Sequence, residues 1–70
     1  MKQFDNRKIK AYREAAGLTQ EGLAIAMSTP EARVHKEQVS DWERSTGGIT
    51  VTTLMRLCKA LGKESNDFFA

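Results

Sequence analysis

Between Thr50 and Gly62 the sequence spells out one complete helix. Val51, Leu54, Leu57, Cys58 and Leu61 recur at spacings of three and four, which lines them along one side of the helical period as an apolar stripe. Thr50 supplies a side-chain oxygen for the free amides of the first turn. Gly62 supplies a residue that enters the left-handed conformation without steric cost at the other end. An apolar stripe of this kind is stable only against another apolar surface, so the rest of the chain must provide one.

The rest reads as further helices. Asp5 offers a carboxylate to first-turn amides, Ile9, Tyr12 and Ala16 recur at helical spacing, and Gly17 suits a left-handed terminus, which predicts a first helix over about residues 6–16. Thr19 is the next N-cap candidate. With Gln20 and Glu21 in its first turn and Leu23, Ala24 and Met27 on one face, the second helix covers about residues 19–28. Pro30 disfavours helix in the residue before it, so residues 29–34 connect two helices, unless Pro30-Glu31-Ala32 begins a short turn of its own. A third helix over about residues 35–44 carries Val39 and Trp42 as an inward stripe and stops at Ser45-Thr46-Gly47-Gly48. After Gly62, Glu64 or Ser65 opens a last short helix bearing Phe68 and Phe69. The run ITVTTL is rich in β-branched residues, but it has no hairpin partner and continues into a helical stripe. The expected fold is all-α, a compact bundle of five helices forming one domain over residues 1–70.

Seventy residues lie near the lower limit for folding without a disulfide or metal, so nearly every large apolar residue must join the core. A hydrophobic content of 40% and a net charge of +2 exclude a disordered chain. Cys58 is the only cysteine, which rules out an intramolecular disulfide and fits a reducing cytoplasm. His35 has no neighbours at ligand spacing, so neither a metal nor a cofactor is expected. No apolar run approaches the ~20 residues of a membrane span, and the polar start MKQFDNRKIK lacks the apolar middle of a signal peptide. These features predict a soluble cytoplasmic protein. No nucleophile–base pair and no glycine-rich phosphate loop argue for an enzyme. The small net charge does not itself establish a nucleic-acid partner. Its distribution is more informative: Lys2, Arg7, Lys8, Lys10 and Arg13 face only Asp5 in the first stretch of chain, as a solvated helix face or a phosphate-facing cluster.

Three segments carry a resemblance: GLTQEGLA at residues 17–24, QVSDWER at residues 38–44 and TLMRLCKALG at residues 53–62. Each is common alone. In this order and spacing the chain resembles the repressor/Cro-type helix-turn-helix family of phages and bacteria, over nearly its whole length. The resemblance implies a lambda repressor-like DNA-binding domain. It further implies a sequence-specific transcriptional regulator, a repressor acting as a homodimer on a palindromic double-stranded operator, with the third helix in the major groove.

The resemblance also assigns roles. Lys36, Glu37 and Asp41 occupy positions that usually reach base edges, while His35, Gln38 and Ser40 reach bases or backbone. Lysine donates to guanine and carboxylates accept from cytosine, so the half-site is expected to hold G·C pairs opposite Lys36 and one acid. Alternatively, Glu37 and Asp41 solvate the helix or pair with Lys36 and Arg44. Gln20 is placed to bond the DNA backbone and brace the recognition helix, and Arg33, Arg44 and Thr46 are further phosphate candidates. Thr19 and Thr50 sit where helix-start amides receive phosphates. Arg13 and Glu43 match a family ion pair that locks the third helix to the scaffold. Trp42 and Cys58 read as core residues, and the methionines as initiation and packing.

The chain departs from the family pattern in four places. Most of STPEAR lengthens the turn between the second and third helices by about five residues. Ser45 stands where glycine is usual, and Lys63 where an apolar residue is usual. Ile25 and Ala26 lie outside the buried stripe, as incidental exposure or as a protein contact surface shared with Phe68 or Phe69. That last feature supports an alternative: an interaction module or antitoxin binding a toxin-like protein. A regulator would instead repress by blocking RNA polymerase or activate by touching it, in a nucleoid-associated setting.

Overall fold

A computed structural model describes residues 3–45 and 48–69. They form α1 (Arg7–Ala15), α2 (Gln20–Met27), α3 (Lys36–Arg44) and α4 (Val51–Leu61), followed by a 3-10 turn at Ser65–Phe68. The expected bundle of five helices is therefore corrected to four α-helices and one turn. The last segment does not propagate because Phe69 leaves it in an extended conformation and makes an isolated antiparallel bridge with Phe4. The Phe68 carbonyl accepts the Asp5 amide at 2.7 Å, which ties the two ends of the described chain together.

Local chemistry sets the helix ends. Asp5 Oδ1 accepts the Arg7 amide at 3.0 Å, Thr19 Oγ1 accepts the Gly22 amide at 2.9 Å and Thr50 Oγ1 accepts the Thr53 amide at 3.2 Å. Gly17 takes φ +74°, and the amides of Gly17 and Leu18 turn back to the carbonyls of Glu14 and Arg13, closing α1 in a Schellman arrangement. Gly62, at φ +65°, ends α4. Lys63 follows it, and its Nζ lies 4.6 Å from the centre of the Tyr12 ring. A cation over an aromatic face explains how a lysine serves at an apolar position. Pro30-Glu31-Ala32 does not open a helix. Thr29 and Ala32 exchange backbone hydrogen bonds across a tight turn instead.

Each element contributes one fully buried side chain: Ile9, Leu23, Val39, Leu57 and Phe68. Ala24, Met27 and Val34 complete the core, with Tyr12, Trp42, Leu54, Cys58 and Leu61 packed around it. Burial pushes the Cys58 thiol pKa up, so it stays protonated at neutral pH as a small apolar group. Three expectations fail. Val51 is 72% exposed, because the stripe of α4 meets the bundle only from Leu54 onward, and Met55, expected to pack, lies off that stripe and is 67% exposed. Ala16 is exposed, and Arg13 takes the inward position. Of the N-terminal cations, Arg7 pairs with Asp5 at 3.0 Å, Lys8 is half-exposed, Lys10 is exposed, Arg13 is buried, and Lys2 lies outside the described residues. Through its hydrogen bond Arg7 holds the Asp5 carboxyl below its usual range.

Candidate nucleic-acid interface

The third helix has two unlike sides. Val39 is fully buried, Trp42 is half-buried, and the Glu43 side chain is 5% exposed. Lys36, Glu37, Asp41 and Arg44 are exposed and Ser40 is half-exposed. At about 100° per residue these five span an arc of about 140° opposite the buried face. A polar arc of that width on a short helix is what the major groove can accept. His35, also exposed, sits at the N-cap with extended backbone, and its amide donates to Gln38 Oε1 at 2.8 Å. The Gln38 oxygen is thus turned back onto the helix start. Arg44 donates to Asp41 at 2.8 Å, one helical turn apart. That pair partly neutralises a carboxylate that would otherwise face phosphates.

Behind the arc lies a buried electrostatic clamp. Arg13 Nε donates to Glu43 Oε2 at 2.7 Å, a second guanidinium nitrogen reaches Oε1 at 3.3 Å, and a third bond goes to the Leu18 carbonyl at 2.9 Å. The Glu43 hydrogen bond raises the Arg13 pKa against the opposing effect of desolvation. Gln20, first residue of α2, donates its Nε2 to Glu43 Oε1 at 3.1 Å. The Gln20 nitrogen therefore braces α3 with one of its two hydrogens, leaving the second N–H as the group able to donate to a phosphate oxygen or water.

The lengthened turn is stapled at its base. Ser28 Oγ donates to the Ala24 carbonyl and accepts the Val34 amide, each at 2.8 Å, and Val34 is buried. These bonds carry the chain from α2 into α3 although the connection is long. Beside it opens a cleft of about 560 Å³ lined by Ile25, Arg33, His35, Lys36 and Glu37 among others. Arg33 is exposed at its rim. Thr46 lies outside the described residues. Ser45 is extended, so the position needs no glycine.

A family model described as helix-turn-helix matches residues 9–68. The chain belongs to the repressor/Cro-type helix-turn-helix family. A solved structure of similar fold is that of the restriction-modification controller protein C.AhdI from Aeromonas hydrophila, with TM-score 0.77 and 25% identity. The match covers 91% of this chain and 89% of that one. No curated protein sequence matches the chain significantly. Family and neighbour together make this helix-turn-helix protein a DNA-binding transcriptional regulator. No helix among the described residues is long and apolar enough to cross a membrane.

One contact had no place in the sequence reading. Asn6 is 5% exposed, and its Nδ2 donates to the Trp42 carbonyl at 2.9 Å. The available signal was the pair Asp5-Asn6: two adjacent residues able to cap one helix, of which only one is needed.

Proposed function

We propose that the protein is a repressor that binds a palindromic operator as a homodimer, with α3 of each copy in the major groove. The observation that carries this reading is the exposed arc of α3 set against its clamped opposite face. Lys36, Glu37, Ser40 and Asp41 read bases. Gln20, Arg33, His35, Arg44 and Thr46 position the helix on phosphates, with Gln38 shaping its start. The site has three cations, Arg33, Lys36 and Arg44, against the carboxylates of Glu37 and Asp41. Such a mixed face relies on base contacts more than on bulk attraction. Acting on DNA places the protein in the cytoplasm of a bacterium or phage-infected host.

Selection of bound sequences from random duplex DNA tests the reading, and the expected result is a palindromic motif with G·C pairs in each half. Against that motif, Lys36→Ala is expected to weaken binding by about 1–3 kcal/mol in gel shifts and to relax the preference at one base pair. Enrichment of no motif would favour the interaction-module reading, for which Ile25, 68% exposed beside the cleft, is the supporting observation.

A dimer needs an apolar contact away from the DNA side. Ile25 shares its cleft with the first residues of α3, which leaves Val51 and Met55, four residues apart on one side of α4. Met55→Lys is expected to shift the protein toward monomer in sedimentation equilibrium with its melting temperature little changed. An unchanged dimer fraction would remove α4 from the interface.

A further inference from the structure

Asn6 is buried at the N-cap of α1, yet its side chain makes no hydrogen bond to the helix it begins. Asp5 fills that role through the Arg7 amide. Asn6 spends its amide on a backbone carbonyl 36 residues away, that of Trp42. Trp42 belongs to the last turn of α3, where carbonyls have no amide partner further along the helix. Its neighbour Glu43 is the residue gripped by Arg13 and Gln20. Two consecutive residues of α3 are therefore tied to α1, one through its side chain and one through its backbone.

The two ties constrain different motions. A grip on the Glu43 carboxylate still allows the helix to rock as the glutamate side chain rotates. A bond to a main-chain carbonyl acts on the helix backbone itself, and together with the Glu43 grip it restrains that rocking. We propose that Asn6 is a positioning residue for DNA recognition: its bond to the Trp42 carbonyl sets the angle at which α3 projects from the bundle. This inference rests on the reading of α3 as the recognition helix. Lys36 lies six residues from Trp42, so the lever is about 9 Å long, and a tilt of about 10° moves its far end by about 1.5 Å. Hydrogen bonds to base edges do not survive a displacement of that size. Phosphate contacts through long, mobile side chains do, so the loss falls on sequence discrimination rather than on attachment to DNA.

The test compares Asn6→Asp and Asn6→Ala with the wild type, each held well below its own melting temperature with folding checked by far-ultraviolet circular dichroism. Asn6→Asp keeps the shape and presents an acceptor to the carbonyl. Asn6→Ala removes the group without leaving a buried carboxylate, and carries the test if the aspartate variant does not fold. The probes are the duplex enriched by the wild type and a random-sequence duplex at low salt. Binding to the enriched duplex is expected to fall about tenfold, the equivalent of about 1.4 kcal/mol, with random-duplex binding changed less than twofold. A proportional fall on both duplexes would overturn the inference, since it reports only lost folded protein. So would an undiminished ratio in folded variants. If the wild type enriches no sequence, the recognition reading itself fails and takes this inference with it.

Discussion

Arg13→Ala is expected to cost about 3–5 kcal/mol of folding stability, against a total of about 4–10 kcal/mol for a chain of this length. The Arg13 and Glu43 side chains are 9% and 5% exposed, so neither can recruit water when the other is lost. In the variant the Glu43 carboxylate keeps only the Gln20 amide at 3.1 Å, and the Leu18 carbonyl loses the donor that reached it at 2.9 Å. The penalty comes from stranding these groups rather than from the attraction itself. Replacing both charges, as Arg13→Met with Glu43→Leu, is therefore expected to recover most of the stability, because no unpaired carboxylate remains in the interior. Urea denaturation of the two variants reads the difference. An Arg13→Ala protein within about 1 kcal/mol of the wild type but weakened in DNA binding would make Arg13 a DNA contact instead of a clamp.

What was readable in the sequence was local. The caps at Thr19 and Thr50 and the glycine termini at Gly17 and Gly62 are each decided by atoms within one helical turn, and sequence spacing reports them directly. The polar arc of α3 was readable for the same reason: once Val39 and Trp42 point inward, the period sends Lys36, Ser40 and Asp41 outward. Periodicity gives direction and not depth, which is why Val51 joined a stripe whose first turn stands clear of the bundle. The missing pieces depend on pairings far apart in the chain. Phe68 and Phe69 looked like the start of a helix, because nothing local announces a bridge to Phe4. The basic cluster was a count of charges without their partners, and Asp5 and Glu43 had already claimed two of them. Asn6 and Trp42 meet only because α1 and α3 pack together. The placement of the arc followed from local rules, whereas the devices that hold its angle are all long-range.

Phe68 anchors the N-terminal segment that leads into Asn6, and Phe68→Ala is expected to remove about 3–5 kcal/mol of stability. The side chain is fully buried on a 3-10 turn of four residues, too short to hold itself by helical hydrogen bonds. Its ring stacks on Phe4 at 6.0 Å and meets the edge of Tyr12 at 5.2 Å, and the Tyr12 hydroxyl in turn donates to the Asp67 carbonyl at 2.6 Å. Losing the ring opens a cavity where α1, the N-terminal segment and the final turn meet. Phe69 provides the control. It is half-buried and touches Phe4 edge-on at 5.7 Å, so Phe69→Ala is expected to cost only about 1–2 kcal/mol. Equal losses in the two variants would mean that the bridge, not the buried ring, anchors this end of the chain. The unequal loss has a second consequence, because the segment that Phe68 holds runs from Phe4 through Asp5 directly into Asn6. Hydrogen exchange in Phe68→Ala should therefore rise in the last turn of α3 as well as near the termini, with the amides in the middle of α4 the last to lose protection.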